Sequence, residues 1–526
     1  MINGIPYPKM DAYAIVALTF FIISIILVIF PIAIPIPRTR LRLILDTATA
    51  PLVCVIILAL AQCIPFSVFR DGIVGAGGIK PYNIMILFFS LAYMAISLDL
   101  TGLLQAAAFW IANHGGRRGI RLYTSFYLFS TVLSILLGND PVVLSGTAFL
   151  VYYTAVAKMD PYPWLFAEFA SCNIGSMVLF LGNITNLVLC EGFQMEYLMY
   201  TAYTTLPFLG CAVAAYTALL VQFRKQIPQQ VTAPQLDARS VLLDPVSALV
   251  GSGLLLSCLI VIIGASFGGV DVWVIALPFT IGKFLFDIIW EGWIKRRPSS
   301  AAFELELRER ASVRHSTEAE AVVIRRFSQK WFTTHFRWLI RTKEVLKKRF
   351  PTAYTSLKRL PIGLLPFALS QFVLVEALAY HKWIDIFAGW MAHLTTSLPA
   401  TVFSVGLLSV VLCNFAGTNI LATVLLTKIL RQIPLDDINL RGSSIALAVG
   451  SNIGAVSFTF SASLAGLLWR NILWQKGLRV RAVEFFKLNL FPILLTSAVG
   501  FSIVYAEMIV CSHIRCETIS SNQTAV

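Results

Sequence analysis

The sequence has few charged residues for its length, and this shortage decides its class. Only 13% of its 526 residues are Asp, Glu, Lys or Arg, whereas soluble chains average about 25%. Apolar and aromatic residues make up 57%, and the run from Ala14 to Pro37 contains no charge. A soluble fold could not bury so much apolar surface. The composition excludes a soluble enzyme, a disulfide-rich secreted domain and a disordered chain, and it predicts an all-α polytopic membrane protein.

The chain also lacks the short motifs of enzymes, nucleotide-driven pumps and metal centres. Its nine cysteines form no Cys-x-x-Cys pair, and its six histidines include no His-Glu-x-x-His sequence. A phosphate-binding loop is absent as well, because Gly282-Lys283 is followed by Phe284 and position 277 is not glycine. We therefore predict no enzyme, no catalytic residue, no metal site and no cofactor, and any driving force would come from a coupling proton or sodium ion.

Apolar runs long enough to cross a bilayer recur along the chain. A span needs about 20 apolar residues, and runs bounded by charge, proline or glycine predict about 11–12 transmembrane helices. The runs lie near 12–36, 47–66, 82–98, 120–138, 163–189, 198–221, 245–267, 271–290, 361–380, 398–413, 443–469 and 488–511. Two further segments, 139–157 and 414–431, begin with polar residues and follow a span too closely to cross again. We interpret them as two re-entrant hairpins.

Positive charge is concentrated in one stretch of the chain. Between Lys295 and Arg359 there are 17 basic and six acidic residues, and basic loops stay on the cytosolic side of a membrane. The stretch contains no nucleic-acid-binding module. We therefore interpret it as a cytosolic linker. The expected partners of the protein are the lipid bilayer and a small ion or anion substrate, and not a nucleic acid.

The two halves of the chain resemble each other. Three collinear matches carry the similarity: 137–141 with 412–416, 166–175 with 445–454, and 183–187 with 463–467. Placing the basic loops in the cytosol sends the span at 82–98 inward and its counterpart at 361–380 outward. The copies are therefore predicted to be inverted, which is typical of secondary transporters, whose site lies near the membrane midplane between the repeats.

The predicted organisation follows from these boundaries. It comprises N-terminal helices (1–81), a first transporter repeat (82–290), the basic linker (291–359), a second, inverted repeat (360–511) and a C-terminal tail (512–526).

Polar residues cluster in both repeats where a helix should otherwise be continuous. Glycine permits unwound backbone, and Asn, Ser and Thr can bond to the amides and carbonyls that unwinding frees. Such backbone is tolerated at membrane depth only against protein or a wet cavity. The alternative is that these side chains merely hold helices together. The candidate substrate- or ion-binding residues are Asn139, Asp140, Asn173, Gly182, Asn183, Thr185, Asn186, Asn414, Asn452, Ser461 and Ser463.

Among the ionisable residues inside spans, Asp140 is the strongest candidate for a functional role. A carboxylate within a span is costly and marks a proton or sodium carrier by default. Its counterpart in the second-half match is Phe415, so the charge is carried by one repeat only. Glu168 could face the same cavity or lie at the interface, while Lys283 and Asp287, four residues apart on one helix face, are expected to neutralise each other.

Four short motifs stand at the interrupted positions: 138–140 (GND), 173–175 (NIG), 182–186 (GNITN) and 452–454 (NIG). Together with 463–469 they resemble the ion transporter superfamily, in its arsenite permease and citrate-transporter-like branch. The resemblance covers about 82–290 and 360–511 and implies an inverted-repeat, elevator-type transporter, often a homodimer. Relatives often have two prolines where this chain has Ile184-Thr185, and Gly-Ser where it has Ala462-Ser463.

The expected function is secondary active transport of a small anion or oxyanion, arsenite-like or carboxylate-like, coupled to protons or sodium. A sodium/proton exchanger of the same fold and an ion channel are the alternatives. The protein is expected to be a multi-pass component of the plasma membrane or an endomembrane.

Overall fold

Helices make up most of the described chain. The computed structural model describes residues 11–35, 42–75, 78–116, 118–231, 237–265, 270–294 and 349–524. The first elements are α1 (Ala12–Ile29), β1 (Ile32–Pro35), β2 (Arg42–Leu45), α2 (Thr49–Leu60) and α3 (Phe66–Val74). The antiparallel pair β1 and β2 departs from the all-α prediction. Helix α1 ends just before Pro31, which cannot continue a helix.

Seven helices then form the first half. They are α4 (Pro81–Leu100), α5 (Leu103–His114), α6 (Gly119–Leu137), α7 (Asn139–Val156), α8 (Tyr162–Gly175), α9 (Ile184–Phe193) and α10 (Tyr197–Phe223).

A connecting region separates the halves. It contains α11 (Ala238–Val241), α12 (Pro245–Ala265), α13 (Val272–Ile289), a π-helical turn (Trp290–Ile294) and α14 (Pro351–Arg359). Residues 295–348, the greater part of the predicted basic linker, lie outside the described residues.

The second half repeats the order of the first. Its helices are α15 (Leu364–Tyr380), α16 (Trp383–Ala392), α17 (Leu398–Phe415), α18 (Asn419–Arg431), α19 (Asp437–Val456), α20 (Leu464–Gln475) and α21 (Ala482–Thr524). A 3-10 turn, Phe460–Ala462, lies between α19 and α20.

The halves pack on each other in a reciprocal way. Helix α7 packs on α20 of the second half, and its counterpart α18 packs on α9 of the first. The central helices α8 and α19 pack together, as do α10 and α21. Trp469 on α20 lies against Phe166 and Phe169 of α8, with ring centroids 5.3 Å apart in both cases. The two halves therefore share one interlocked core.

The predicted re-entrant hairpins are wrong in position. Segment 139–157 does not fold back on itself, because α7 is a continuous helix, and most of segment 414–431 is the continuous helix α18. The chain reverses just before each of them, at Gly138 (φ +82°) and Gly417 (φ +81°), in the left-handed region that glycine adopts readily. The helical hairpins are consequently α6 with α7 and α17 with α18.

Among the described residues, nine helices are long and apolar enough to cross a membrane. Two predicted spans are interrupted. The run at 163–189 divides into α8 and α9, and the run at 443–469 divides into α19 and α20. These are the two places where the polar clusters predict unwound backbone, so the interruption is confirmed.

The pairing expected for Lys283 is confirmed. Its side chain is fully buried and ion-paired with Asp287 on the next turn of α13. Asp287 also accepts hydrogen bonds from Tyr93 Oη at 2.9 Å and Ser97 Oγ at 2.8 Å, both on α4. This buried network fixes α13 to α4.

Candidate functional site

The unwound segment 176–183 in the first half is held by asparagine side chains. Asn186 Nδ2 donates to Ser176 O at 2.8 Å and to Leu179 O at 2.9 Å. A Cβ at Gly182 would come within 2.1 Å of Ser176 O, so the tight return of the chain requires glycine. The amide of Asn186 replaces helix bonds that the unwound backbone cannot make.

The second half has a corresponding unwound segment, 457–463. Asn414 Oδ1 at the end of α17 accepts hydrogen bonds from the backbone N–H of Phe458 at 2.8 Å and of Thr459 at 3.1 Å. Ser463 Oγ donates to Ala455 O at 3.1 Å. Both segments are thus stabilised by polar side chains inside an otherwise apolar core.

The helices that follow the two segments begin with the same kind of cap. Asn183 Oδ1 accepts a bond from the N–H of Thr185 at 3.4 Å at the start of α9. Ser463 Oγ accepts a bond from the N–H of Gly466 at 3.0 Å at the start of α20. These are the positions that the sequence repeat aligns, which explains why Asn and Ser, both good N-caps, occupy them.

Asn452 joins the two halves directly. It lies on α19, is fully buried, and donates through Nδ2 to Asn186 Oδ1 at 2.8 Å. Its Oδ1 accepts from Ser176 Oγ and from Asn183 Nδ2, each at 3.3 Å. The first unwound segment is therefore fixed to the second half through one amide.

A cavity of about 1130 Å³ opens beside these segments. The first residues of four helices line it: Asn139 and Asp140 of α7, Ile184 of α9 with its cap Asn183, Asn419 and Ile420 of α18, and Leu464 of α20 with its cap Ser463. The first N–H groups of a helix have no partner within the helix and carry a partial positive charge. Four such ends at one cavity favour an anion.

Five of the predicted site residues line this cavity: Asn139, Asp140, Gly182, Asn183 and Ser463. The other six do not, and they lie behind its wall: Asn173, Thr185, Asn186, Asn414, Asn452 and Ser461. Asn173 Oδ1, for example, accepts a bond from Asn139 Nδ2 at 3.1 Å. Through this bond Asn173 positions Asn139 at the cavity.

The structure also changes the counterpart assigned to Asp140. In each hairpin a glycine with positive φ makes the turn, Gly138 in the first and Gly417 in the second. Counting from these glycines, Asp140 corresponds to Asn419, not to Phe415, and both side chains line the cavity. The first half places a carboxylate where the second places an amide. Asp140 has no hydrogen-bond or ion-pair partner in the described part of the chain.

Sequence reasoning missed several lining residues outside the repeat motifs. Arg359, the last residue of α14, forms an ion pair with Asp99 at the end of α4, with Nη1 and Oδ2 3.3 Å apart. Both side chains line the cavity, as do Gln105 and Lys476. Arg359 ends the basic linker sequence, so its charge could not be distinguished from the solvated charges before it. Glu168, which was weighed as a cavity residue, does not line it.

Comparison with known proteins agrees with this architecture. The family model described as "Citrate transporter" (CitMHS) matches residues 14–450. The arsenical pump membrane proteins of Escherichia coli strain K12 and Shigella flexneri are each 24% identical over 151 residues. That stretch is 28% of this chain and 35% of theirs, so the matched part spans about a third of the length of these relatives.

Two solved transporter structures align with this chain over most of its length. The Alcanivorax borkumensis YdaH transporter aligns with a TM-score of 0.50 at 11% identity, over 94% of this chain and 97% of that one. Neisseria gonorrhoeae MtrF, described in a study of antimetabolite efflux pumps, aligns with a TM-score of 0.42 at 13% identity, over 96% and 95%. The first likeness supports a transporter fold and says nothing of the substrate. Since the family model matches most of the sequence, this multi-pass membrane protein belongs to the citrate transporter (CitMHS) family, a family of transporters and not of enzymes.

Proposed function

We propose that this protein is a secondary active carrier of a small anion, of the carboxylate or oxyanion type. The observation that supports the proposal is the convergence of four helix N-termini on one cavity. Free N–H groups at helix starts bind carboxylate and other oxyanions without a cationic side chain. Arg359 adds a guanidinium to the same cavity wall, and guanidinium groups bind carboxylates in a bidentate manner.

The eleven predicted residues have two kinds of role in this proposal. The lining set, Asn139, Asp140, Gly182, Asn183 and Ser463, contacts the anion or the coupling ion. The buried set, Asn173, Thr185, Asn186, Asn414, Asn452 and Ser461, holds the unwound segments in place.

The reciprocal packing of the two halves supports an inverted repeat. Helix α7 packs on α20, and α18 packs on α9, as expected if a two-fold axis relates residues 82–290 to 360–511. In this proposal the two hairpins and the broken helices form a mobile unit. It carries the anion past a scaffold that includes α4 and α13, with the hairpins entering the membrane from opposite sides. The homodimer and the cytosolic placement of the linker belong to the same proposal.

Asp140 is proposed to couple transport to a proton or sodium gradient. Its carboxylate lies in the first turn of α7, at the cavity, without a partner in the described chain. An unpaired carboxylate at membrane depth is stabilised when it binds a cation or a proton. We expect Asp140→Asn to fold normally and to lose gradient-driven accumulation. Asp160→Asn, in the exposed turn after α7, is the matched control and should keep it.

Uptake of radiolabelled citrate, succinate and arsenite into proteoliposomes tests the proposal, with imposed proton or sodium gradients. Accumulation of one of these solutes supports it. If no solute moves under either gradient, the anion-carrier proposal fails. Sodium flux driven by a proton gradient without any anion would instead support the exchanger, which the unpaired Asp140 carboxylate also favours. Single-channel currents would identify a channel.

A further inference from the structure

Glu168 on α8 is a buried carboxylate that the proposed anion site does not use. Its side chain is 2% exposed. Thr147 Oγ1 on α7 lies 3.1 Å from Glu168 Oε1 and 3.0 Å from Oε2. A threonine hydroxyl has a single proton to donate, so this contact can satisfy only one of the two carboxylate oxygens.

No cationic side chain faces Glu168 from the described helices that pack on α8. The titratable groups on their buried faces are neutral in their ordinary state: Tyr123 and Tyr127 on α6, Tyr153 on α7, Tyr200 and Cys211 on α10 and, on α8 itself, Cys172. The buried stretch of α19 from 442 to 456 has no titratable residue. Asp140 lies seven residues before Thr147 along α7, a rise of about 10 Å. A permanently charged carboxylate is very costly in such surroundings.

The second repeat shows that the packing at this position does not require an acid. The match of 166–175 with 445–454 places Leu447 opposite Glu168. Leu447 is fully buried in the corresponding helix, α19. In the second half an apolar side chain, Leu447, therefore occupies the position that Glu168 occupies in the first half. A buried ionisable residue retained where leucine suffices in the other repeat indicates a function that depends on its ionisation.

A small void and the main cavity share lining residues close to Glu168. The void measures about 20 Å³ and is lined in part by Gln105, Ser145 and Gly146, together with apolar side chains of α5, α6 and α7. Gln105 and Ser145 also line the main cavity. Gly146 lies directly against the acid, since a Cβ added there would come 2.8 Å from Glu168 Oε1. On α7, the residue that lies against the carboxylate, Gly146, therefore directly follows a residue that lines the cavity, Ser145.

We propose that Glu168 is a proton-binding site of the transport cycle, which exchanges its proton with the cavity on the Gly146 side of α7. On loading, a proton from cavity water forms an O–H bond to a carboxylate oxygen of Glu168. On unloading, that bond breaks and the proton returns to cavity water. Net charge changes by one at each step, and no other reactant is needed. The acid form can donate its proton to Thr147 Oγ1, which gives the neutral state a partner inside the core. This inference rests on the proposed transport function.

Two measurements on the full-length protein separate the inference from that function. Counterflow of radiolabelled citrate, with equal citrate and equal pH on both sides, reports transport without a driving force. Accumulation under an imposed proton gradient reports coupling. We expect Glu168→Gln to retain counterflow and to lose proton-driven accumulation. Glu196→Gln, at the start of α10 without a side-chain capping bond, should keep both. A Glu168→Gln protein that still accumulates citrate under a proton gradient overturns the inference.

Infrared spectroscopy gives a readout that does not depend on transport. Wild type should show the carbonyl band of a protonated carboxylic acid that decreases as the pH is raised, and Glu168→Gln should lack that band. If the spectral change between low and high pH is identical in both proteins, the inference is overturned.

If Glu168→Gln does not fold, Thr147→Val replaces it. Loss of the hydroxyl bond should shift the carbonyl band, and an unshifted band overturns the inference. Absence of counterflow of citrate, succinate and arsenite in wild type would refute the proposed function, whereas the infrared result would still decide the role of Glu168.

Discussion

Asn452 provides the sharpest test of the link between the two halves. Its Nδ2 donates to Asn186 Oδ1 at 2.8 Å, and its Oδ1 accepts from Asn183 Nδ2 at 3.3 Å. Asn452→Ala removes both bonds at once. Ser176 Oγ also loses Asn452 as an acceptor but still has Asn173 O at 2.9 Å. The substitution therefore leaves Asn186 Oδ1 as the main group without a partner.

The expected loss follows from that single orphaned acceptor. Asn186 is fully buried, and a buried acceptor without a donor costs about 1–3 kcal/mol. We expect Asn452→Ala to lower the free energy of unfolding by about 2 kcal/mol, a factor of about 30 in the unfolding equilibrium constant. Citrate counterflow should fall as well, because segment 176–183 loses its attachment to α19.

Asn489→Ala is the matched control. Asn489 lies on α21 and is 1% exposed, and neither its Nδ2 nor its Oδ1 has a hydrogen-bond partner among the described residues. Both substitutions remove the same atoms, but only Asn452→Ala removes a hydrogen bond from a neighbouring side chain, that of Asn186. Thermal unfolding of the purified proteins in one detergent would compare them. If Asn489→Ala is destabilised as much as Asn452→Ala, the hydrogen-bond network does not explain the role of Asn452.

Two further predictions concern the core and the unwound segment. Lys283→Met leaves Asp287 buried without its cation and should cost about 3–5 kcal/mol of unfolding free energy, whereas adding Asp287→Leu should recover most of that loss. Equal melting temperatures for the single and double variants would contradict the pairing. Gly182→Ala brings a Cβ to 2.1 Å from Ser176 O and should reduce both stability and citrate counterflow, while Gly253→Ala, with no atom within 4 Å of the added Cβ, should change neither. If Gly182→Ala shows the same counterflow as wild type, transport does not require the close approach of Gly182 to Ser176 O in segment 176–183.

The general architecture could be predicted because the bilayer imposes simple rules on sequence. Scarcity of charge and apolar runs of span length predict a polytopic helical protein. The polar clusters at 173–186 and 452–463 predict broken helices, since Asn, Ser and Gly are poor helix formers that bond to freed backbone. The i and i+4 spacing of Lys283 and Asp287 predicts their ion pair. Each of these inferences depends only on residues that are close to one another in the sequence.

The positions of the hairpin turns were less accessible from sequence. The predicted re-entrant segments begin with Asn139 and Asn414, because an asparagine pattern is visible in the sequence. The turns depend on glycine adopting positive φ at Gly138 and Gly417, whereas Gly119, Gly146 and Gly406 lie within the hairpin helices without positive φ. Only the backbone conformation distinguishes the turn glycines, and it also pairs Asp140 with Asn419.

By itself the sequence determined the membrane class, the interrupted helices and the polar residues that belong to them. Tertiary structure decided which of those residues line the cavity and which stand behind it, because burial depends on the helix packed opposite. It also decided the partners that come from distant parts of the chain, such as Arg359 with Asp99 and Asn452 with Asn186. The sequence of one segment shows the periodicity of a single helix, whereas a cavity lined by four helix ends forms only when the two halves pack together.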